Sequence, residues 1–231
     1  MIKAIFLDYT GTMVKEDEPY TRELLEYMTK HCNTSNHKLI LAKVWGYIKD
    51  VEATCYGDGF RLNHYKVDYV LDHLVMDMGF DGDRNYVHEI WEKVWIYASL
   101  HDDVKPFFER CSLPIYILSN DDLRYLEESM AIKGLKPEGI ISAECARACK
   151  PSKEIYEYAL KTAGVSPEEV IFIGDSVTSD IIPALEVGIT PVYIARKEAK
   201  VPEGVQVIHS LDEINLSSLA PRDLRAGFGL R

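Results

Sequence analysis

The apolar positions of this chain change rhythm three times. Ala4-Ile5-Phe6-Leu7 is apolar without a break and stops at Asp8. A run that short and unbroken suits a strand buried on both faces, as in a parallel sheet. Next comes a charged stretch, Lys15-Glu16-Asp17-Glu18, with Pro19 at the first position of a helix. From there to residue 100 the rhythm is helical. Beyond a shorter helix at residues 19–31, Ile40, Val44, Tyr47, Ile48 and Val51 mark one stripe. Val67, Val70, Leu71, Leu74, Val75 and Met78 mark a second, and Val87, Ile90, Trp91, Val94, Trp95 and Ala98 a third. Spacings of three and four place each set on one helix face, so the stripes predict mutual packing in a four-helix unit.

From residue 101 strands and helices alternate. Ile115-Tyr116-Ile117-Leu118 reads as a strand ending at Ser119-Asn120, and Leu123, Leu126 and Met130 as the inner face of a helix closed by Gly134. Ile140-Ile141 is a short strand, and Ile155, Tyr156, Ala159, Leu160 and Ala163 form a helix stripe stopped by Gly164. Ser166-Pro167-Glu168-Glu169 is a capping box with Pro at its first position. Val170-Ile171-Phe172-Ile173 is a buried strand ending at Gly174-Asp175, followed by a helix from about Asp180 to Val187 and a strand at Val192-Tyr193-Ile194. This alternation predicts an α/β fold with a doubly wound parallel sheet, Rossmann-like, whose first strand is the one ending at Asp8. Residues 1–15 and 101–231 then form the α/β core, with residues 16–100 inserted as an all-helical domain. The tail after Leu216, with Arg222, Arg225 and Arg231, carries no clear pattern.

Composition narrows the function classes. A length of 231 residues with 47% apolar content supports a sizeable core, and the formal net charge of −11 argues against nucleic acid or anionic membranes as general partners. Five cysteines, an odd number with no CxxC pair, fit a reducing cytosol better than a disulfide framework. Cys145 and Cys149 lack the second pair that a tetrahedral metal site needs. The first apolar run breaks at Asp8, unlike a signal peptide, and no apolar stretch approaches a bilayer span, so a soluble, cytoplasmic protein is expected. Asp81, Asp83, Asn85 and Glu92 imitate a calcium loop, but Tyr86 stands where its sharp turn requires Gly.

The candidate chemistry lies where strands end. Asp8, Ser119-Asn120 and Asp175 close successive strands, and right-handed crossovers bring such ends to one edge of the sheet. Asp8 and Asp175 there offer hard oxygen ligands for Mg²⁺. Asp180 supports them from the next helix, and Lys150 supplies a positive charge to hold an anionic oxygen and balance the acids. Each has an ordinary alternative taken singly: a helix cap, a solvated lysine, a helix N-terminal charge. Their joint position is what singles them out.

Four motifs in this order, Asp8-Tyr9-Thr10-Gly11-Thr12, Leu118-Ser119-Asn120, Lys150-Pro151 and Gly174-Asp175-Ser176-Val177-Thr178-Ser179-Asp180, resemble those of the haloacid dehalogenase-like (HAD) hydrolases over residues 1–210. A helical cap inserted after the first motif is a layout of that superfamily. The resemblance implies that Asp8 is a nucleophile forming an aspartyl-phosphate, with Mg²⁺ held by Asp8, the Thr10 carbonyl and Asp175. It implies that Gly11, Ser119, Asn120 and Lys150 hold the phosphoryl group, with Thr12 bracing the same loop, and that the substrate is a small phosphorylated metabolite handled by a monomer or homodimer. Thr10 departs from the pattern, because the family's phosphatases carry there a second Asp that donates and accepts protons. Such catalysis is worth roughly 10²–10⁴-fold, so a slow phosphohydrolase is expected, unless a cap group such as His64 or Tyr65 transfers the proton. The alternatives are dehalogenase- or phosphonatase-type hydrolysis on the same nucleophile, the latter needing a cap lysine (Lys43, Lys49 or Lys66), and a non-enzymatic module that binds a phosphorylated ligand.

Overall fold

Neighbouring residues of a strand point to opposite faces, and in the computed structural model of this chain, which describes residues 1–215, both faces of the sheet are covered. In strand β1 (Ala4–Leu7), Ile5 and Leu7 enter one apolar cluster while Ala4 and Phe6 enter another. The first cluster is closed by Val104 and Phe107 of helix α5 (Val104–Arg110) and by Leu126 and Met130 of α6 (Leu123–Lys133). The second is closed by Ile155, Tyr156 and Ala159 of α8 (Lys153–Ala163) and by Ala184 of α9 (Ile182–Val187). This two-sided burial is why the strand sequences are unbroken apolar runs.

The sheet has six parallel strands: β1, β2 (Ile115–Ser119), β3 (Gly139–Ser142), β4 (Val170–Gly174), β5 (Thr190–Ile194) and β6 (Gln206–Ile208). Their spatial order is β3-β2-β1-β4-β5-β6. The chain winds outward from β1 to β3, returns to the other side of β1, and winds outward again. The topological switch point therefore lies between β1 and β4, where such sheets open a crevice beyond their carboxyl ends. Register sets Leu7 beside Ile173, so both strands stop at the same level.

Four helices, α1 (Pro19–Lys30), α2 (His37–Ala53), α3 (Asn63–Met78) and α4 (Arg84–Tyr97), surround an apolar cluster of their own. Ile40, Val44, Val67, Leu71, Leu74, Val87 and Ile90 are in it, as the stripes predict. The segments leading into and out of these helices run side by side. Val14 bridges Leu100 antiparallel, Lys15 N–H donates to the Ser99 carbonyl at 2.9 Å, and His101 N–H to that of Met13 at 2.9 Å. Asp83 caps α4 through the Asn85 amide, and Glu92 is turned to Arg124 and Tyr125, so the acids of the apparent calcium loop have other partners.

Several elements differ from expectation. Helix α5, the single turn α7 (Ala143–Ala146) and strand β6 lack a periodic signal because they are short. The predicted helix from Asp180 begins instead with a wide turn over Val177–Ile181, and α9 starts at Ile182 with Pro183 in its first turn. Strand β5 begins two residues early, at Thr190 and Pro191. The tail with Arg222, Arg225 and Arg231 lies outside the described residues.

Candidate active site

Asp8 follows β1 directly, and its amide donates to the Ile173 carbonyl at 2.9 Å, which extends the ladder one residue and holds the carboxylate at the crevice. Asp175 follows β4 across the switch point. Asp8, Asp175 and Asp180 are all buried, and each offers a carboxylate oxygen within 4.8 Å of the others. Two glycines make this approach possible. Gly11 has φ 85°, and a Cβ there would lie 2.6 Å from Asp175 Oδ2; at Gly174 a Cβ would lie 2.5 Å from Asp180 Oδ2.

Lys150 neutralises part of this charge. Its Nζ donates to Asp8 Oδ1 at 2.6 Å and to Asp180 Oδ1 at 2.7 Å. Burial alone would favour the neutral amine, but Asp180 and Asp8 outweigh it and hold the ammonium well above its ordinary pKa. The second oxygen of Asp180 accepts from the Ser176 amide at 2.9 Å, so this side chain is fully engaged in fixing Lys150. Burial pushes Asp180 up to about 7 against the pull of Lys150, and burial together with Asp8 pushes Asp175 up to about 6 against Lys197. Three acids so close are short of positive charge.

The remaining predicted residues converge on the same edge. Asn120 clasps the Lys150 peptide: its Oδ1 accepts from the Lys150 amide at 2.6 Å and its Nδ2 donates to the Lys150 carbonyl at 3.0 Å. Thr12 is fully buried, with its hydroxyl 3.4 Å from Asp175 Oδ1 and its carbonyl receiving Arg196. Ser119 Oγ donates to Asp121 Oδ2 at 2.8 Å, and the Thr10 hydroxyl lies 3.4 Å from the same oxygen.

Sequence reasoning missed several groups here. Asp121 lies one residue past the second motif, and nothing in the chain distinguishes it from the adjacent Asp122. Its other oxygen accepts from Asn63 Nδ2 at 3.2 Å, while the Asp122 carboxylate accepts the Asn63 amide at 3.0 and 3.1 Å. Of the three cap lysines, Lys66 is the one at the site: it is buried, donates to the Asn120 carbonyl at 2.7 Å and stands 3.7 Å from Glu52. Lys43 pairs instead with Asp77, and Lys49 is exposed. Lys197, after β5, reaches Asp175 and Glu16 at 3.1 Å each. His64 and Tyr65 stack on one another and are exposed, with no bond to the acid cluster among those described. Spacing did not reveal the contacts of Asp121 with Asn63, Lys66 with Asn120 or Lys197 with Asp175, because each joins segments far apart in sequence.

A family model for haloacid dehalogenase-like hydrolases matches residues 2–188. The chain belongs to that family. The four-motif resemblance has its structural counterpart in the acid cluster. Among characterised relatives, the chain is 33% identical over 93 residues to a glyceraldehyde 3-phosphate phosphatase of Methanocaldococcus jannaschii, covering 38% of this chain and 41% of that one. It is 32% identical over 83 residues to the pyrimidine 5'-nucleotidase YjjG of Escherichia coli, covering 32% and 36%. These matches span well under half of either relative. Among solved structures, the HAD-hydrolase YfnB from Bacillus subtilis, bound to magnesium, superposes with a TM-score of 0.74 at 17% identity over 92% of this chain and 96% of that one. The L-2-haloacid dehalogenase RSc1362 gives 0.76 at 16% over 92% and 96%. At such identities these likenesses establish the fold.

Proposed function

We propose that the protein is a Mg²⁺-dependent phosphohydrolase that acts on a small phosphorylated metabolite through an aspartyl-phosphate on Asp8. The observation that carries this reading is the buried triad of Asp8, Asp175 and Asp180 with Lys150 ion-paired to two of its members. The donor set fits a hard divalent cation: clustered carboxylates whose pKa values are raised by burial and then by one another's charge. Asp8, Asp175 and the Thr10 carbonyl would hold Mg²⁺, which offsets repulsion between an anionic nucleophile and an anionic phosphoryl group. Asp180, already committed to Lys150 and the Ser176 amide, orients the lysine.

An Asp8 oxygen attacks phosphorus, the bond to the leaving oxygen breaks, and water later attacks the aspartyl-phosphate to release phosphate. Lys150 and the backbone amides after Asp8 and Ser119 hold the phosphoryl oxygens, where positioning and electrostatics supply most of the rate. Thr10 cannot transfer the proton, but the Asp121 carboxylate beside its hydroxyl can. We assign Asp121 the part that the family's phosphatases give to the residue at position 10. Helices α1–α4 serve as the cap, hinged on the paired Val14 and Leu100 segments and closing over the leaving group through Asn63 and Lys66.

The phosphonatase alternative loses support at Lys66. Burial would favour the neutral amine that a Schiff base requires, yet the Glu52 carboxylate 3.7 Å away favours the ammonium. The reading is tested with p-nitrophenyl phosphate and acetyl phosphate, with and without Mg²⁺. Phosphate release is expected to need the metal and Asp8, with a phosphoryl group trapped on Asp8 by mass spectrometry. Chloride release from a haloacid without metal, or ligand binding with no turnover, would overturn it.

A further inference from the structure

Cys55 and Cys149 lie 94 positions apart in a chain whose cysteines showed no paired spacing, yet the fold sets them face to face. Arg147, with φ 51°, turns the chain after α7 so that Ala148 bridges Tyr56 antiparallel. That register puts Cys149 opposite Cys55, with the Cys149 amide donating to the Cys55 carbonyl at 2.8 Å. Directly opposed antiparallel residues have Cα atoms roughly 4.5–5.5 Å apart, inside the roughly 4.4–6.8 Å window of a disulfide. Both cysteines are buried, and the Cys55 thiol donates to the Arg61 carbonyl at 3.4 Å. The Arg61 amide donates to Cys55 Sγ at 3.2 Å. Among the described cysteines, the other three are half-buried.

From this geometry we infer that Cys55 and Cys149 form an oxidative modification site: peroxide converts the pair to a disulfide that locks the loop after α2 onto the segment leading to Lys150. The bridge between these segments rests on two backbone hydrogen bonds, Cys149 to Cys55 and Gly57 to Arg147, so its local opening admits a small oxidant. The Cys55 sulfur attacks hydrogen peroxide, the O–O bond breaks, and a sulfenic acid and one water result. The Cys149 sulfur then attacks the sulfenic sulfur, forming the S–S bond and expelling a second water. Two thiols lose two electrons in all, and one peroxide gains them. The Cys55 thiol is the suited attacker: contact with Cys149 lowers its pKa to about 6, with the Arg61 amide and the Lys66 charge aiding against burial.

The consequence follows from what each cysteine is joined to. Cys149 precedes Lys150, whose ammonium holds Asp8, and Cys55 belongs to the stretch between α2 and α3 that faces the site. A disulfide there prevents that stretch from lifting off the sheet edge. The experiment treats the whole protein with hydrogen peroxide, blocks remaining thiols, and maps the non-reduced digest by mass spectrometry. A peptide joining Cys55 to Cys149, slower hydrogen exchange over residues 55–61, and loss of turnover restored by dithiothreitol are expected. Cys55→Ser and Cys149→Ser are each expected to keep turnover under reducing conditions and to escape peroxide inhibition. Free, alkylated Cys55 and Cys149 after treatment, pairing with another cysteine, or a mapped disulfide that leaves exchange and turnover unchanged would each overturn the inference. The mapping and exchange readouts need no catalysis, so they stand apart from any failure of the hydrolytic reading.

Discussion

Asp121 shows how much one side chain can change a mechanistic reading. The sequence carries Thr where a proton donor is expected, and the fold brings a carboxylate from the loop after β2 to within 3.4 Å of that hydroxyl. The prediction at this scale is a rescue. Asp121→Asn should lower kcat about 10²-fold on alkyl phosphates, and much less on p-nitrophenyl phosphate, whose leaving group needs no proton. Adding Thr10→Asp to that variant should restore the alkyl phosphate rate. A loss equal for both leaving groups, with no rescue, would mean that Asp121 only supports Ser119. Gly11 permits a second test. Gly11→Ala puts a methyl group 2.6 Å from Asp175 Oδ2, where L-residues are already strained by the positive φ, so activity should fall sharply in a protein that still folds. Circular dichroism alongside kcat separates the two effects.

Among the elements, the segment after β5 does more than close the sheet. Arg196 donates to the Thr12 carbonyl and, at 2.7 Å, to Asp103 Oδ1; Asp103 Oδ2 accepts from Ser210 Oγ at 3.0 Å and the Leu211 amide at 2.7 Å. One buried carboxylate thus joins the loop of the first motif, the start of α5 and the turn after β6. Burial alone would raise its pKa, but the guanidinium and the Leu211 amide outweigh burial and hold it below the ordinary value of 3.8. A depressed carboxylate pKa stabilises the fold above the unfolded value and loses that effect as pH falls through the folded one. Asp103→Asn should therefore destabilise the protein by about 2 kcal/mol at neutral pH, by stranding a half-buried arginine. The gap should close as pH drops below 3.8; urea melts across that range measure it. A gap independent of pH would assign the loss to packing.

For the whole molecule, the switch point between β1 and β4 decides where charge accumulates, and charge decides what stabilises it. Mg²⁺ at about 100 times its Kd should raise stability by about 2.7 kcal/mol, if it binds the native state alone. Asp175→Asn should remove most of that gain, and an unchanged thermal midpoint in the parent protein would count against the metal site. Among the described residues no helix is long and apolar enough to cross a membrane.

What the sequence determined by itself follows from short-range physics. Unbroken apolar runs require strands covered on both faces, stripes at three and four require packed helices, and Gly134 and Gly164 end helices because each adopts the left-handed conformation there. Those signals, with four ordered motifs, gave the α/β class and brought Asp8, Asp175, Asp180 and Lys150 under suspicion. Only the tertiary structure could add Asp121, Lys197 and the Cys55–Cys149 pair, and select Lys66 from the three cap lysines. Each acts through contacts between segments that lie far apart along the chain, and no local pattern encodes such a distance. The crossover at β1 sets it, where the sheet's winding reverses and remote loops come to share one edge.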